Sequence, residues 1–183
     1  MVELVKFDGE HANTKLAKQL FMWDKKKKDN MFLISADVNT QIDIKALTKY
    51  LKVGSGNLRG CDEDVLNNVL GSKKGAVNFF SIVNDTEKKV KMILDKVLYG
   101  AEWVSFHPMD NTASTCISKE GIDKIKELTG RDESNFEVLD FSSIGSGEAP
   151  PAKTEKGEKK PKVEQGKKMT VEEKKKKKEE EKA

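Results

Sequence analysis

Hydrophobic and polar positions divide the first part of the chain into two short apolar segments with a polar connection. Leu16–Trp23 and Met31–Ala36 are mainly apolar, and Asp24–Asn30 between them contains four consecutive lysines. Short apolar runs bounded by turn-forming residues are typical of strands. The pattern therefore predicts a β-hairpin with a basic loop.

Three helices are predicted, each with apolar residues three or four positions apart and a preceding side chain that can cap the first turn. They are Ile44–Leu51 after Asp43, Val65–Leu70 after Asp62, and a helix after Ser118 that runs through Leu128. Gly71 and Gly130 follow the second and third helices and predict where each helix ends. In the last helix, Ile122, Ile125 and Leu128 form a single apolar stripe.

Three further segments have the composition of strands. They are Ala76–Val83, Val90–Leu94 and Phe136–Phe141, and the first two are joined through Asn84–Asp85, so we expect them to pair as a meander. Strands and helices do not alternate strictly along the chain. The order therefore predicts an α+β domain with a mixed, largely antiparallel sheet flanked by short helices.

Composition divides the chain into two parts. A chain of 183 residues is long enough for one domain with a real core. Residues 146–183 contain 13 Lys, 9 Glu, no aromatic residue and three of the four prolines. Such a segment cannot bury enough apolar surface to fold alone. We therefore predict a domain over residues 1–145 and a disordered or transiently helical tail over residues 146–183.

Charge and cysteine usage restrict the setting in which the protein works. All but two of the basic residues are lysines, which attract phosphate as mobile point charges. Cys61 and Cys116 lie far apart and lack the spacing of metal ligands, which argues against a zinc site and against a disulfide-stapled secreted domain. The sequence contains neither a secretory signal nor an apolar run long enough for a membrane span. We expect a cytoplasmic protein without a membrane partner.

Two side chains are candidates for chemistry. His107 precedes Pro108, which favours extended backbone, and a cluster of turn-forming residues follows, so the imidazole is expected where a strand ends. It can act as a general acid or base, contact a substrate carbonyl or phosphate, or be a hydrogen-bonded core histidine. In the predicted strand, Lys18 lies on the same face as Leu20 and Met22, because side chains two residues apart point to one side of a strand. If that face is buried, its ammonium projects into a cleft; otherwise it is a solvated lysine.

Three segments together resemble a known family: Lys18–Lys27, Phe79–Asp85 and Phe106–Ala113. Their order and spacing are similar to those of the YbaK-like or prolyl-tRNA synthetase associated domains, which are aminoacyl-tRNA deacylases. The chain is most similar to the alanyl-tRNA(Pro) editing branch, whose members are free-standing or attached to a prolyl-tRNA synthetase. Family members usually carry a helix and a strand before the lysine, so either this branch is shortened or part of the domain is missing.

The resemblance implies hydrolysis of the ester that joins a wrongly attached amino acid, alanine in this branch, to the terminal ribose of tRNA(Pro). Water attacks with help from a ribose hydroxyl, without a metal, another cofactor or a protein nucleophile. The implied partners are the tRNA(Pro) acceptor end and a prolyl-tRNA synthetase in cis or in trans. A cysteinyl-tRNA(Pro) deacylase and a non-catalytic tRNA-binding or complex-assembly module remain open alternatives.

The resemblance also assigns residues. Lys18 and His107 match the family's lysine and histidine; the lysine contacts the ester end or the adjacent phosphate, and the histidine lines the amino-acid pocket. Five further positions are implied to contact or orient the substrate, and these are Gln19, Ser81, Ile82, Val83 and Asn111. Two of them depart from the family pattern, since glutamine replaces asparagine at position 19 and serine replaces glycine at position 81.

Overall fold

A computed structural model describes residues 11–109 and 112–144. The strands in this part of the chain are β1 Lys15–Asp24, β2 Met31–Asp37, β3 Leu58–Gly60, β4 Val90–Asp95, β5 Trp103–Phe106, β6 Thr115–Ser118 and β7 Phe136–Leu139. The helices are α1 Ile44–Tyr50, α2 Glu63–Leu70, α3 Lys96–Tyr99, α4 Lys119–Leu128 and α5 Phe141–Ile144, and Phe79–Asn84 forms a 3₁₀ helix. The proposed boundary at residue 145 and the tail beyond it fall outside the described residues, so they stay predictions.

The predicted hairpin is confirmed. β1 and β2 pair antiparallel from Ala17 opposite Asp37 to Trp23 opposite Met31. The basic loop is closed by main-chain hydrogen bonds, including one of 3.0 Å from Asp24 N to Asn30 O. Its four lysines are exposed, which is what a polar loop between two buried strands requires.

The strands form one mixed sheet in the order β6-β5-β1-β2-β4-β7, and β3 pairs with β1. β1 pairs antiparallel with β2 and β3, and β5 pairs antiparallel with β6. The β1–β5, β2–β4 and β4–β7 pairs are parallel, and the chain between the partners contains helices or loops that cross over. The α+β class with a mixed sheet and short helices is therefore confirmed.

The sheet separates two hydrophobic clusters, one on each face. One cluster contains Phe21, Trp23 and Leu33 and the residues of α2, the 3₁₀ helix and α4 that pack on them. The other contains Met22 and Ile34 with the apolar residues of α1 and α5. Because successive side chains of a strand point to opposite faces, β1 and β2 contribute to both clusters. Both faces of the central hairpin are therefore buried.

Local capping explains why the helices begin and end where they do. The Asp43 carboxylate accepts hydrogen bonds from Lys45 N and Ala46 N, and Ser118 Oγ accepts one from Gly121 N. α2 ends at Gly71, whose φ of 58° lies in the left-handed region that favours glycine. These predictions are confirmed, although Asp62 occupies the cap position of α2 without a side-chain hydrogen bond to it.

The apolar stripe predicted for the last helix, now α4, includes one residue that does not join the core. Ile122 is fully buried and Ile125 packs against the same cluster. Leu128 is 73% exposed because it lies in the last turn of α4, beyond the edge of the cluster. Helical periodicity identifies the inward face but does not show how far along the helix the neighbouring core extends.

The prediction of a strand over Ala76–Val83 is wrong. Asn78 Oδ1 accepts hydrogen bonds from Phe80 N and Ser81 N, and Ser81 Oγ accepts one from Asn78 N. This capping box starts the 3₁₀ helix, so no meander with β4 forms. Apolar runs of this length fit a strand or a buried helical segment equally well, and here the asparagine decided the outcome.

The last predicted strand is shorter than expected. β7 ends at Leu139 because Asp140 begins a new turn: its carboxylate accepts hydrogen bonds from Ser142 N at 3.1 Å and Ser142 Oγ at 2.6 Å. Aspartate side chains favour turns by satisfying nearby main-chain donors in this way. Phe141, predicted as the end of the strand, instead starts α5 and packs into the second cluster.

A buried ion pair connects the end of the 3₁₀ helix to the turn before β7. Arg131 Nη2 lies 2.7 Å from Asp85 Oδ2, and both side chains are almost completely buried. The Asp85 carboxylate also accepts hydrogen bonds from Lys89 N and Val90 N, and Arg131 Nη1 donates one to Val90 O. A buried carboxylate needs such partners to remain charged, so this network holds the start of β4 in place.

Candidate functional site

Lys18 lies in β1 opposite Ala36 of β2 and is half-buried. Its ammonium donates hydrogen bonds to Val38 O, at 3.1 Å, and to Thr40 O. An ammonium has three donor hydrogens, and within residues 11–109 and 112–144 these two carbonyls are its acceptors. One of its donors therefore has no acceptor in this part of the chain.

The loop that holds Lys18 is itself anchored on a buried carboxylate. Asp95, which is 1% exposed, accepts hydrogen bonds from Thr40 Oγ1 at 2.5 Å and from Asp37 N at 3.2 Å. Its other oxygen accepts one from Val97 N at 3.0 Å at the start of α3. Because these bonds fix the loop, the carbonyls that orient the ammonium are preorganised.

His107 follows the last residue of β5, as predicted, and its ring is exposed. Its Nδ1 lies 2.9 Å from Ala113 O and 3.4 Å from Ser114 Oγ. A carbonyl oxygen only accepts hydrogen bonds, so Nδ1 carries the hydrogen in this contact. In the neutral ring, Nε2 is then the acceptor and keeps a lone pair for a substrate or a water molecule.

The sheet brings these two residues to neighbouring strands. β1 and β5 run parallel, with Leu16 beside Ser105. Lys18 comes two residues after Leu16, and His107 comes two residues after Ser105. The register therefore brings both residues to the same end of the β1–β5 pair. Their hydrogen bonds go to different loops, those of Lys18 to the loop after β2 and that of His107 to the segment before β6.

β1 has an unpaired segment beside these residues. On the edge that faces β5, the strand pairs with β5 at Lys15 and Leu16 and with β3 only from Met22 onward. Between these two contacts, residues 17–20 have no partner strand on this edge in the described part of the chain. Main-chain groups at an open strand edge can bind the main chain of a ligand.

Gln19 lies in that segment and has an incomplete set of hydrogen bonds. Its Oε1 accepts a hydrogen bond from Ser35 Oγ at 2.5 Å. Its Nε2 is buried and has no acceptor among residues 11–109 and 112–144. A buried amide donor without an acceptor costs about 1 to 3 kcal/mol, so a bound water or ligand atom would stabilise it.

The 3₁₀ helix contains the three positions that the resemblance assigned around the amino acid. Ser81 and Ile82 are fully buried, and the Ser81 hydroxyl donates to Asn78 O within the capping box. Val83 is 56% exposed. Side chains at 81 and 82 therefore face the core, and these two positions can meet a ligand only through the main chain. Asn111, the remaining assigned position, lies outside the described residues.

Aromatic packing fixes the 3₁₀ helix against the strand that leads to His107. The Phe79 and Phe106 rings are stacked with centroids 5.0 Å apart, and Phe80 meets Phe106 edge-on at 5.7 Å. Beyond His107, Met109 Sδ accepts a hydrogen bond from Asn78 Nδ2 at 3.2 Å. Asn78 and Met109 were not predicted as site residues, and only the turn-forming asparagine had a recognisable sequence signal.

The arrangement provides hydrogen-bond donors and one acceptor nitrogen, without a grouping that would bind a metal. In the described residues, no three His, Cys, Asp or Glu side chains come together as ligands. No helix within the described ranges is both long and apolar enough to cross a membrane. The fold and this site define a small α+β domain whose polar groups can bind and polarise a substrate.

Comparison with known proteins identifies the family. Residues 2–125 match the model of the aminoacyl-tRNA editing domain, and the chain belongs to this family. The chain is 37% identical over 128 residues to the prolyl-tRNA editing protein ProX of Acetoanaerobium sticklandii, covering 70% of this chain and 76% of that one. It is 38% identical over 125 residues to the mouse prolyl-tRNA synthetase associated domain-containing protein 1, covering 67% and 73%.

Proposed function

We propose that this protein hydrolyses wrongly aminoacylated tRNA(Pro), with alanyl-tRNA(Pro) as its main substrate. Membership of the editing-domain family and the 37% identity to a prolyl-tRNA editing protein support the reaction class. The observation that carries the assignment of residues is the β1–β5 register, which leads Lys18 and His107 to the same end of two neighbouring strands. An editing site is needed because amino acids that differ by one or two methylenes differ in binding free energy by only about 1 to 3 kcal/mol.

In the proposed reaction, water attacks the ester carbonyl carbon, and the bond between that carbon and the ribose oxygen then breaks. One of the water's two protons goes to the ribose oxygen, the other is released to solvent, and the amino acid leaves as a carboxylate. The Lys18 ammonium, held by two carbonyls, offers its remaining donor to the ester oxygen or the adjacent phosphate. His107 Nε2 accepts a hydrogen bond from the amino acid's ammonium or from the water.

The main chain around Gln19 and the 3₁₀ helix is proposed to limit the size of the amino acid. The Ser81 side chain is buried and engaged in the capping box, so serine here leaves the side of the helix away from the core unobstructed. Ser81→Gly is therefore expected to alter the stability of the turn more than the choice of amino acid. Asn111 remains proposed as an orienting hydrogen-bond partner on the strength of the resemblance alone.

The test is deacylation of tRNA(Pro) charged with alanine, cysteine or proline by the full chain. We expect alanyl-tRNA(Pro) to be hydrolysed well above its spontaneous rate and prolyl-tRNA(Pro) to be spared. Lys18→Ala should lower the rate about 10²- to 10³-fold, which is typical of losing one positioned donor. Lys18→Gln removes the positive charge, but the glutamine amide can still donate a hydrogen bond to a loop carbonyl. This variant therefore separates the effect of the charge from the effect of anchoring the loop. Lys124→Ala, at an exposed lysine on α4, is the matched control.

The outcomes distinguish the candidates. Hydrolysis of cysteinyl-tRNA(Pro) in preference to alanyl-tRNA(Pro) would reassign the substrate within the same family. Binding of tRNA(Pro) without turnover would favour a tRNA-binding or assembly module, in cis or in trans to a prolyl-tRNA synthetase. A rate no faster than spontaneous loss for all three substrates contradicts the proposal. A cytoplasmic location fits two free cysteines and stays a prediction that fractionation can test.

A further inference from the structure

A groove lies between α1 and the segment that leads into β3, and its lining does not include the residues assigned to hydrolysis. It has a volume of about 670 Å³ and an apolar floor that includes Val53 and Leu58. Lys45 and Lys49 of α1 line one side, and the turn at Ser55 and Gly56 lines the other. Residues four apart lie on the same face of a helix, so the two lysines are neighbours along the rim.

The cations around this groove have no acidic partners in the described part of the chain. Lys45, Lys49 and Lys52 are exposed and take part in none of the ion pairs formed within it. Arg59 also lines the groove. α1 itself contains no acidic residue, and the carboxylate of Asp43, which precedes it, accepts hydrogen bonds from the first main-chain N–H groups of the helix. The rim therefore attracts anions.

The basic hairpin loop adjoins the same groove. Lys25 N donates a hydrogen bond of 2.9 Å to Asn57 O, which ties the loop of four lysines to the turn that forms one wall. Lys28 Nζ lies over the Trp23 ring at 4.9 Å, so one of the four is held against the body of the domain. This hydrogen bond makes the basic loop and the groove neighbours beside the C-terminal end of β1, and we refer to them together as the basic surface.

The position of this surface favours RNA over other anionic partners. Lys25 directly follows β1 and comes seven residues after Lys18, which corresponds to about 24 Å at the rise of an antiparallel strand. A ligand that places its end at Lys18 and also reaches Lys25 must span about this distance and carry negative charge where it meets the lysines. A short RNA duplex with a single-stranded end has these properties, whereas a small anionic metabolite does not.

We infer that the groove of Lys45 and Lys49, with the adjoining loop Lys25–Lys28, binds the phosphate backbone of the tRNA acceptor stem while its end occupies the site at Lys18. This inference rests on the proposed function for the identity of the RNA. Lysine contacts to phosphate carry no base information, so this surface contributes affinity and orientation, and not the choice of tRNA.

The test measures binding of uncharged tRNA by the full chain as a function of salt concentration. Lys45→Gln with Lys49→Gln removes two positive charges and keeps good helix formers in α1. Removing one lysine–phosphate interaction should reduce the slope of log affinity against log salt by about 0.7 to 0.9, so by about 1.4 to 1.8 for the pair. Lys119→Gln with Lys124→Gln removes the same charge from α4 and is the matched control.

A weaker affinity and a smaller slope for the groove variant, with the control unchanged, would support the inference. Equal slopes for wild type and the groove variant, or equal decreases in groove variant and control, would overturn it; so would a full chain that does not bind tRNA. Hydrolysis is measured separately: the groove variant should raise KM for aminoacyl-tRNA with kcat nearly unchanged. Groove-dependent binding without any hydrolysis would contradict the proposed function while leaving the binding surface intact.

Discussion

Replacing Arg131 by methionine tests whether the buried ion pair holds the 3₁₀ helix and β4 together. Methionine keeps an unbranched side chain of similar reach, but it leaves the Asp85 carboxylate buried without its cation. In the native protein this carboxylate has the guanidinium at 2.7 Å and main-chain donors from Lys89 and Val90. After the substitution only the two main-chain donors remain, and Val90 O loses its bond from Arg131.

The expected destabilisation follows from the burial of both partners. Breaking a buried pair by removing one member typically costs about 3 to 5 kcal/mol in the free energy of unfolding. An unfolding entropy of about 2.1 cal/mol/K per residue makes this a decrease in Tm of about 10 to 16 °C for a domain of this size. Urea unfolding should show a lower midpoint with the same m-value, since the substitution does not change the surface exposed on unfolding.

The control is Lys124→Met, which removes the cation of a pair with Glu127 whose side chains are 60% and 72% exposed. Exposed pairs contribute about 0 to 1 kcal/mol, so this variant should unfold close to wild type. If Arg131→Met loses less than about 1 kcal/mol, or no more than the control, the argument that the pair anchors the start of β4 is wrong.

Two further predictions concern the core and the titration of a thiol. Leu33→Ala should lower the free energy of unfolding by about 2 to 5 kcal/mol because Leu33 is fully buried. Leu128→Ala, at a position that is 73% exposed, should leave the free energy of unfolding within about 0.5 kcal/mol of wild type. Similar decreases in the free energy of unfolding for the two variants would contradict the two-cluster core. Burial, and to a lesser extent the Asp62 charge, raises the pKa of the Cys61 thiol to about 12. An unfolded thiol ionises near pH ~8.5, so between that pH and about 12 the unfolded chain releases a proton that the folded protein retains, and stability falls as pH rises. Urea unfolding at a series of alkaline pH values should show a steeper decline for wild type than for Cys61→Ala; parallel declines would show that the thiol does not contribute.

Several features of the fold could be predicted from the sequence because short-range interactions determine them. The hairpin follows from two apolar runs around a loop of lysines. The caps at Asp43 and Ser118 and the left-handed end of α2 at Gly71 depend on side chains within four residues of the backbone groups they satisfy. Such patterns are visible in one dimension because their partners are close in the chain.

Recognition of the family was also possible from the sequence, since three motifs in a fixed order indicated the editing family and directed attention to Lys18 and His107. That assignment of roles remains a proposal. The motifs identify which residues to examine, but they do not contain the hydrogen bonds those residues make.

Only the tertiary structure decided the remaining features, because their partners are distant in sequence. Asn78 caps the 3₁₀ helix locally, but the stacking of Phe79 on Phe106 that holds this helix against β5 joins residues far apart in the chain. The Lys18 ammonium is oriented by the carbonyls of Val38 and Thr40, in a loop anchored in turn on Asp95. Apolar pattern and parity restrict which face a side chain occupies, but which distant groups meet it depends on how the whole sheet assembles.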